Sequence, residues 1–441
     1  MKRRIYKNLL DWKNSKERKP LLIRGARQVG KSHLIKNFGK KNYKKFLEVN
    51  FELYPEVSNF FNSLNPEEII KNLSIYFNQE ITNGTLIFFD EIQECPQAIT
   101  SLRYFYELKP ELHVIGAGSL LEFVLNSSEI NIPVGRIEYL FMYPLSFIEF
   151  LETLNENLLI ELLQKAKSEK EINPVIHQKL LKLYRDYTYI GGMPEAMSNY
   201  TEERNYPQIK KIQTSLLQTY RDDFGKYSNL AKHKYLHKVF LKAPSLIGKI
   251  IKYSEIDRET PSRELKEALS LLEYAGLITR ITSTTHPELP LSVYSKENQF
   301  KIHFLDIGLV IRAMLLEYTV VHSENIMGTY SGGLAEQFVL QELAAYNDPY
   351  EKREMYFWKR DKRGSSAEID TLIVYNSIII PVEVKSGKTG SLKSLQLYKK
   401  LYNPNICIRY SEHQLSFYDS ILSIPLYMIS ETNRLLNYYL K

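Results

Sequence analysis

The sequence predicts an α/β protein with a parallel sheet at its N-terminal end and a smaller α/β module at its C-terminal end. Strands and helices alternate over residues 1–150, a glycine loop joins the first strand to a helix, and further strands begin at Glu354. The residues between these two parts have helical periodicity. Because 441 residues are too many for one typical core, we expect four domains, at 1–150, 151–222, 223–325 and 326–441.

The first strand and helix are joined by a phosphate-binding loop of the pattern G-x-x-x-x-G-K-[ST]. The loop consists of Gly25, Ala26, Arg27, Gln28, Val29, Gly30, Lys31 and Ser32. The two glycines let backbone N–H groups approach a pyrophosphate at a helix N-terminus. Lys31 is placed to reach the β- and γ-phosphates, and the Ser32 hydroxyl to ligate Mg²⁺. The sequence therefore predicts a site for ATP and Mg²⁺.

A second apolar strand, Thr85–Asp90, ends in two acids. We expect Asp90 to complete the Mg²⁺ shell and Glu91 to orient the attacking water. Strands that end in Asp-Glu are common. The prediction therefore depends on the position of this particular strand after the phosphate loop. The alternative is that Glu91 is a solvent-facing loop acid.

Three more residues are candidates for the nucleotide reaction. Ser119 follows the strand Leu112–Ala117 and could sense the γ-phosphate, cap the next helix, or do both. Arg136 is the preferred candidate for a cation that stabilises transition-state charge, supplied by a neighbouring subunit or domain. Arg27, inside the loop, is the competing candidate.

The middle of the chain predicts a helical lid at 151–222 and a winged-helix-like module at 223–325. Residues 224–254 contain seven lysines and no acid before Glu255. A helix at Ser262–Tyr274 and a strand follow, and residues 282–304 would form the wing. Because that helix mixes acids with bases, the module could contact DNA or serve only in packing.

The last part of the chain pairs carboxylates on two adjacent predicted strands. Alternation along a strand places Glu383 and Lys385 on one face, where Asp370 of the neighbouring strand can meet them. We expect Asp370 and Glu383 to hold a second Mg²⁺, with Lys385 beside the attacking water. This pattern is similar to the D…E-x-K core of restriction-endonuclease-like nucleases, and Glu336 matches its additional acid. The alternatives are a non-catalytic docking module and simple ion pairing by Lys385.

Taken in order, the motifs support a family resemblance. Further segments follow the loop and the acidic strand, at residues 116–119, 135–136, 143–150 and 191–195. The chain resembles, over essentially its whole length, the prokaryotic AAA-type ATPases that carry a C-terminal domain of unknown function. The resemblance implies a first sensor at Ser119, an arginine finger at Arg136, a helical lid, a winged helix and a restriction-endonuclease-like end. A second sensor arginine is not recognisable in the lid.

Net charge, cysteine content and the length of apolar runs bear on which partners and which compartment we expect. The net charge of +7 permits nucleic-acid contact without requiring it. Two cysteines in no metal-binding spacing indicate reduced thiols in a cytoplasmic protein, and no apolar run is long enough to span a membrane. Two hypotheses follow: an ATP-driven enzyme that processes DNA, and an ATPase switch that recognises a protein partner. Either could act as a homo-oligomer.

Overall fold

The computed structural model of the chain describes residues 1–125, 134–227, 230–322, 331–362, 364–387 and 391–440. The predicted boundary between residues 325 and 326 lies outside the described residues, and so do the side chains of residues 226, 227, 230, 231 and 331. No helix in these ranges is long and apolar enough to cross a membrane.

The N-terminal part is a five-stranded sheet in which every pairing is parallel. Its strands are β1 (Leu21–Arg24), β2 (Lys45–Asn50), β3 (Thr85–Asp90), β4 (His113–Ala117) and β5 (Glu138–Phe141). They lie in the order β2-β3-β4-β1-β5, with the apolar β3 buried along its whole length. The helices of this part are α1 (Tyr6–Asn14), α2 (Lys31–Asn42), α3 (Pro66–Tyr76), α4 (Pro96–Leu108) and α5 (Leu121–Leu125). The predicted parallel α/β sheet is confirmed.

A helical region follows the sheet, as predicted. Its helices are α6 (Phe147–Thr153), α7 (Asn157–Lys165), α8 (Pro174–Ile190), α9 (Pro194–Glu203), α10 (Tyr206–Asp222), α11 (Phe224–Tyr227), α12 (Leu230–Lys242), α13 (Tyr253–Ile256) and α14 (Ser262–Tyr274). A capping box of Ser146 and Glu149 begins α6, and α8 ends at Gly191, whose φ of 78° suits glycine.

The C-terminal part is an eight-stranded mixed sheet. Its strands are β6 (Ile278–Thr284), β7 (Ser295–Phe304), β8 (Met355–Lys359), β9 (Glu368–Tyr375), β10 (Ile378–Val384), β11 (Cys407–Ser411), β12 (Ser416–Tyr418) and β13 (Ile421–Pro425). The remaining helices are α15 (Ile307–Ala313), α16 (Tyr318–His322), α17 (Ser331–Ala345), α18 (Lys393–Tyr402) and α19 (Thr432–Tyr439).

The predicted wing is part of this sheet. Strands β6 and β7 form an antiparallel hairpin, and β6 pairs in parallel with β8. The hairpin is therefore the edge of the C-terminal sheet, so residues on β7 can face residues on β9 and α17. One continuous apolar core runs from Ile5 to Leu436 and joins all three parts.

Candidate nucleotide site and carboxylate centre

The phosphate loop joins β1 to α2 at the carboxyl edge of the parallel sheet. Gly25 and Gly30 have φ values of +145° and +97°, and a Cβ on Gly25 would lie 2.2 Å from the carbonyl oxygen of Met142. The Lys31 ammonium donates to the carbonyl oxygens of Gly25 and Ala26, at 2.8 Å each. Burial lowers the pKa of this ammonium to about 8. The lysine thus lies inside the loop that a phosphate would occupy.

A hydroxyl and a carboxylate meet beside the loop. The Ser32 Oγ donates to Oδ1 of Asp90 at 2.8 Å, and Asn50 donates to Oδ2 at 3.3 Å. Burial raises the pKa of Asp90, while the Ser32 hydrogen bond opposes that shift. The pair presents the oxygen ligands that Mg²⁺ prefers.

Glu91 is held between two strand ends. Gln93 Nε2 donates to Oε2 of Glu91 at 2.7 Å, and the backbone N and Oγ of Ser119 lie 3.4 Å from the same oxygen. A Cβ on Gly118 would lie 1.8 Å from Oε1 of Gln93, so that glycine makes room for the amide. The structure therefore brings Ser119 to Glu91.

The two candidate arginines lie in different places. The Arg27 Nη1 contacts both carboxylate oxygens of Asp223, at 2.5 and 2.6 Å, which ties the loop to the end of α10. Arg136 precedes β5, which runs parallel to β1, so it lies at the opposite edge of the sheet from the loop. There it pairs with Glu107 at 2.9 Å. The structure does not bring Arg136 to the phosphate loop of its own chain.

A cavity of about 730 Å³ opens beside the loop. Its walls include Tyr6 and Leu10 of α1, Val29 of the loop, His33 of α2 and Pro194 of α9. The cavity therefore lies between the sheet, the N-terminal segment and the helical region, and its walls are largely apolar.

The predicted carboxylates of the C-terminal part do converge, and a lysine lies among them. The ammonium of Lys301, on β7, is 3.0 Å from Oε1 of Glu336, 2.6 Å from Oε1 of Glu368 and 3.7 Å from Oδ1 of Asp370. We call these four residues together with Glu383 and Lys385 the carboxylate centre. Burial lowers the pKa of Lys301, but Glu336, Asp370 and Glu368 outweigh it, so the pKa is raised and the group is charged.

The other half of the centre is the predicted pair on β10. The Lys385 Nζ lies 2.6 Å from Oε1 of Glu383, and the backbone N of Val384 donates to Oδ2 of Asp370 at 2.7 Å. Glu383 is 5% exposed, and no group in the described ranges donates to its Oε2. Burial, followed by the Asp370 charge, raises the pKa of Glu383. This oxygen is a buried acceptor that lacks a partner.

Two lysines of the lysine-rich segment form ion pairs with acids of the same region. Lys232 of α12 forms an ion pair with Glu267 of α14, and Lys238 pairs with Asp257 at 2.5 Å. The end of α14 packs on the phosphate loop, where a Cβ on Gly276 would lie 3.2 Å from the Cβ of Ala26. The C-terminal end of α14, the helix for which both DNA contact and packing were open, thus lies next to the phosphate loop.

Helix α17 contributes to the carboxylate centre and is linked to the phosphate loop through Asp306. It carries Glu336, and further along Gln341 donates to Oδ2 of Asp306 at 3.2 Å. The same oxygen accepts a hydrogen bond from the backbone N of Gly192 at 2.6 Å. Gly192 stands two residues before Pro194, which lies next to Gly30 of the phosphate loop. Burial raises the pKa of Asp306 to about 6. A chain of buried contacts therefore joins the carboxylate centre to the loop.

Sequence reasoning missed Gln93, Lys301 and Glu368. Gln93 stands two residues after Glu91, and that proximity is its only signal. Glu368 shares a face of β9 with Asp370 by alternation, which could have marked it. Lys301 lies among the apolar residues of β7, and nothing local marks it.

Three family models match successive parts of the chain. A model described as an AAA domain matches residues 17–151, the Domain of unknown function (DUF8612) matches 181–319, and the Domain of unknown function (DUF4143) matches 331–429. A comparison with curated proteins yields no match.

Solved structures with a similar arrangement have low identity. The Walker-type ATPase PABY2304 of Pyrococcus abyssi is 16% identical with a TM-score of 0.45, over 70% of this chain and 94% of that chain. The Aeropyrum pernix ORC1 protein in complex with DNA is 13% identical with a TM-score of 0.30, over 72% and 91%. AMPPCP-bound DnaA from Aquifex aeolicus is 16% identical with a TM-score of 0.23, over 61% and 86%. Because these values are low, they support no conclusion about function.

The first family model covers the part of the chain that contains the five-stranded parallel sheet and the phosphate loop. The chain contains an AAA domain at residues 17–151, followed by two domains of unknown function. The expected domain boundaries and the role of each site residue stay predictions.

Proposed function

We propose that the chain is a Mg²⁺-dependent ATPase that couples hydrolysis to nucleic-acid binding or processing at the carboxylate centre. One observation carries the proposal: Lys31, the Ser32–Asp90 pair and the Glu91–Ser119 pair meet at one edge of the parallel sheet. A packing role explains the glycine loop alone, but it does not explain a hydroxyl–carboxylate pair and a second, separately positioned acid beside it.

Each of these groups has a task in phosphoryl transfer. Bound Mg²⁺ would neutralise phosphate charge, and Ser32 and Asp90 are the residues that would hold it. Lys31 exchanges its two carbonyl partners for phosphate oxygens. Glu91, fixed by Gln93, orients the water whose oxygen bonds to the γ-phosphorus as the bond to the β–γ bridging oxygen breaks.

The apolar cavity beside the loop suits the nucleobase. It opens directly from Val29 and Gly30, and both the N-terminal segment and α9 contribute walls. A base that packs in this cavity would contact α9. Nucleotide binding would therefore bias the position of the helical region.

The position of Arg136 favours an assembly of several copies. It lies at the sheet edge away from its own loop, with 45% of its side chain exposed. An arginine in that place can complete only the site of a neighbour. We therefore propose a homo-oligomer in which Arg136 acts on the adjacent subunit.

The carboxylate centre fits a second divalent cation. The unpartnered Oε2 of Glu383 and the nearby Asp370 are hard oxygen donors, and Lys385 lies beside them. A cation there would polarise a phosphodiester, while Lys385 would stabilise the charge that develops on it. Nucleic acid is accordingly the favoured partner.

A second candidate is a switch that binds a protein partner. The packing of α14 on the phosphate loop and the pairing of Lys232 with Glu267 favour it, because both reduce the surface available to phosphate. In that case the C-terminal part would be a docking surface without cleavage activity.

The test is ATP turnover by the full chain with and without duplex, branched and single-stranded DNA, scored also for nicking in Mg²⁺ or Mn²⁺. We expect DNA to stimulate turnover and D370N/E383Q to abolish nicking, while the exposed control E351Q nicks like wild type. Turnover that is indifferent to every DNA, without nicking in either metal, would contradict the nucleic-acid role. DNA affinity that falls steeply with salt would count against the protein-partner candidate.

A further inference from the structure

The carboxylate centre already contains a cation that belongs to the protein. The side chain of Lys301 is 1% exposed, and its ammonium is surrounded by acids from two elements, Glu336 of α17 and the Glu368–Asp370 pair of β9. The ammonium nitrogen also lies over the ring of Phe357, 5.1 Å from the ring centroid. A buried charge persists only where it is paired, so this position is fixed by its three partners.

The ammonium divides the acids of the centre into two groups. Oε1 of Glu336 and Oε1 of Glu368 are at hydrogen-bonding distance from Lys301, whereas Asp370 is farther away at 3.7 Å. Oε2 of Glu383 is buried and has no donor in the described part of the chain. Oε2 of Glu383 is therefore the acceptor without a donor, and the neighbouring Asp370 is the acid that Lys301 contacts at the longest distance.

The net charge of the carboxylate centre and the position of Lys301 both favour a single external cation. When all six groups are ionised, the four carboxylates and two ammonium groups leave two negative charges. One divalent cation neutralises that net charge. Two-metal centres hold their ions about 3.5–4 Å apart on shared carboxylates. A second ion on Glu336 and Glu368 would compete with the Lys301 ammonium for these carboxylates and would lie close to its positive charge. The described ranges contain no group of three or more His, Cys, Asp or Glu that could hold a metal, so an ion at the centre would rest on two protein carboxylates and on solvent.

We propose that Lys301 occupies the place of a second cation and restricts the carboxylate centre to a single divalent ion, held by Asp370 and Glu383. The inference rests on the proposed function, because it requires that the centre bind metal. It makes Lys301, which belongs to the predicted winged-helix-like module, a specificity-determining residue of the C-terminal site.

The test is the number of Mn²⁺ ions bound per nucleotide-free full chain, measured by electron paramagnetic resonance. We expect one ion in wild type, a dissociation constant raised at least about tenfold in D370N/E383Q, and two ions in K301M, whose freed acids admit a second. The K301M titration includes a check of folding in the same Mn²⁺ buffer, since the second ion replaces the missing ammonium.

The outcomes separate this inference from the proposed function. Two ions in wild type, or one ion in a folded K301M, would overturn the role of Lys301 while a metal site at the centre stands. No ion in wild type would overturn both. If K301M does not fold, the number of Mn²⁺ ions bound by wild type decides. One bound ion whose affinity falls in D370N/E383Q supports the inference, and two bound ions contradict it.

Discussion

The nucleotide site and the carboxylate centre are built in opposite ways. The first uses neighbouring residues of one loop and the ends of two adjacent parallel strands, so its parts lie where the sheet topology must place them. The second draws on β7, α17, β9 and β10, and its central charge comes from the edge hairpin. A parallel sheet creates a site at its carboxyl edge, whereas the mixed sheet creates one only where distant segments meet.

The difference extends to how each site is charged. At the nucleotide site Lys31 bonds neutral carbonyl oxygens, which a phosphate can replace at low cost. At the carboxylate centre Lys301 bonds two carboxylates, which a ligand cannot easily replace. The first lysine is therefore available to a ligand, and the second is part of the structure.

The largest expected effect tests the catalytic half of the nucleotide site. E91Q removes the charge that orients water but keeps the shape, so ATP turnover should fall at least about 100-fold while ATP still binds. Phosphate release and ATP affinity measure the two quantities. The matched control is E94Q, because Glu94 is a neighbouring acid whose Oε1 lies 3.4 Å from Nε2 of Gln93. Turnover in E91Q that equals E94Q would remove Glu91 from the reaction.

The next effect tests helix α17, which carries Glu336 and is linked to the phosphate loop through Asp306. Burial raises the pKa of Glu342 from 4.5 to about 8, and Phe147 N donates to its Oε1 at 2.9 Å. Folding favours the protonated acid, so the stability it contributes is full below pH 4.5 and is lost as the pH rises toward 8. Relative to wild type, E342Q should gain about 2 kcal/mol of unfolding free energy between about pH 6 and pH 8.

Urea unfolding at both pH values measures that difference. The exposed E351Q on the loop after α17 serves as control, and its difference from wild type should not change with pH. A pH-independent difference for E342Q would show that Glu342 is ionised in the folded chain, and that α17 carries a buried charge between the two sites.

A smaller effect tests whether the nucleotide site is complete in one chain. R136A should lower turnover at least about tenfold at protein concentrations where wild-type activity per chain has reached its maximum. The control is R103A, because Arg103 pairs with the same Glu107. Equal activity of R136A and wild type at every concentration would contradict action on a neighbouring subunit.

The smallest effect concerns the tie between the loop and the helical region. The Arg27–Asp223 pair is largely buried, so a double-mutant cycle of R27A and D223A should give a coupling energy of about 1 kcal/mol in unfolding. A coupling near zero would make the pair incidental, and Arg27 would then be free to act on nucleotide as the competing finger.

The nucleotide site was largely predictable, because its residues are local in sequence and the parallel alternation places strand ends together. The positions of Lys31, Ser32 and Asp90 follow from that topology. The role of Gln93 was not predictable, since it depends on the left-handed backbone of Glu91, whose φ is 49°.

The carboxylate centre was predictable only in part. Alternation in β9 and β10 placed Asp370 near Glu383, but no pattern placed Lys301 there. Residues 300–304 of β7 are all buried, so alternation does not show which side chains face acids. That placement depends on the pairing of β6 with β8, a contact between segments about 75 residues apart that no local pattern encodes.

The most direct measurement of the central claim is ATP affinity by calorimetry in Mg²⁺, for wild type, K31A and K36A. Lys36 lies on the same helix but pairs with Glu48 at 2.7 Å instead of with the loop carbonyls. We expect K31A to weaken ATP binding at least about 100-fold, because a buried ammonium contact to phosphate is lost, and K36A to bind like wild type. Wild-type affinity in K31A would contradict a nucleotide site at this loop.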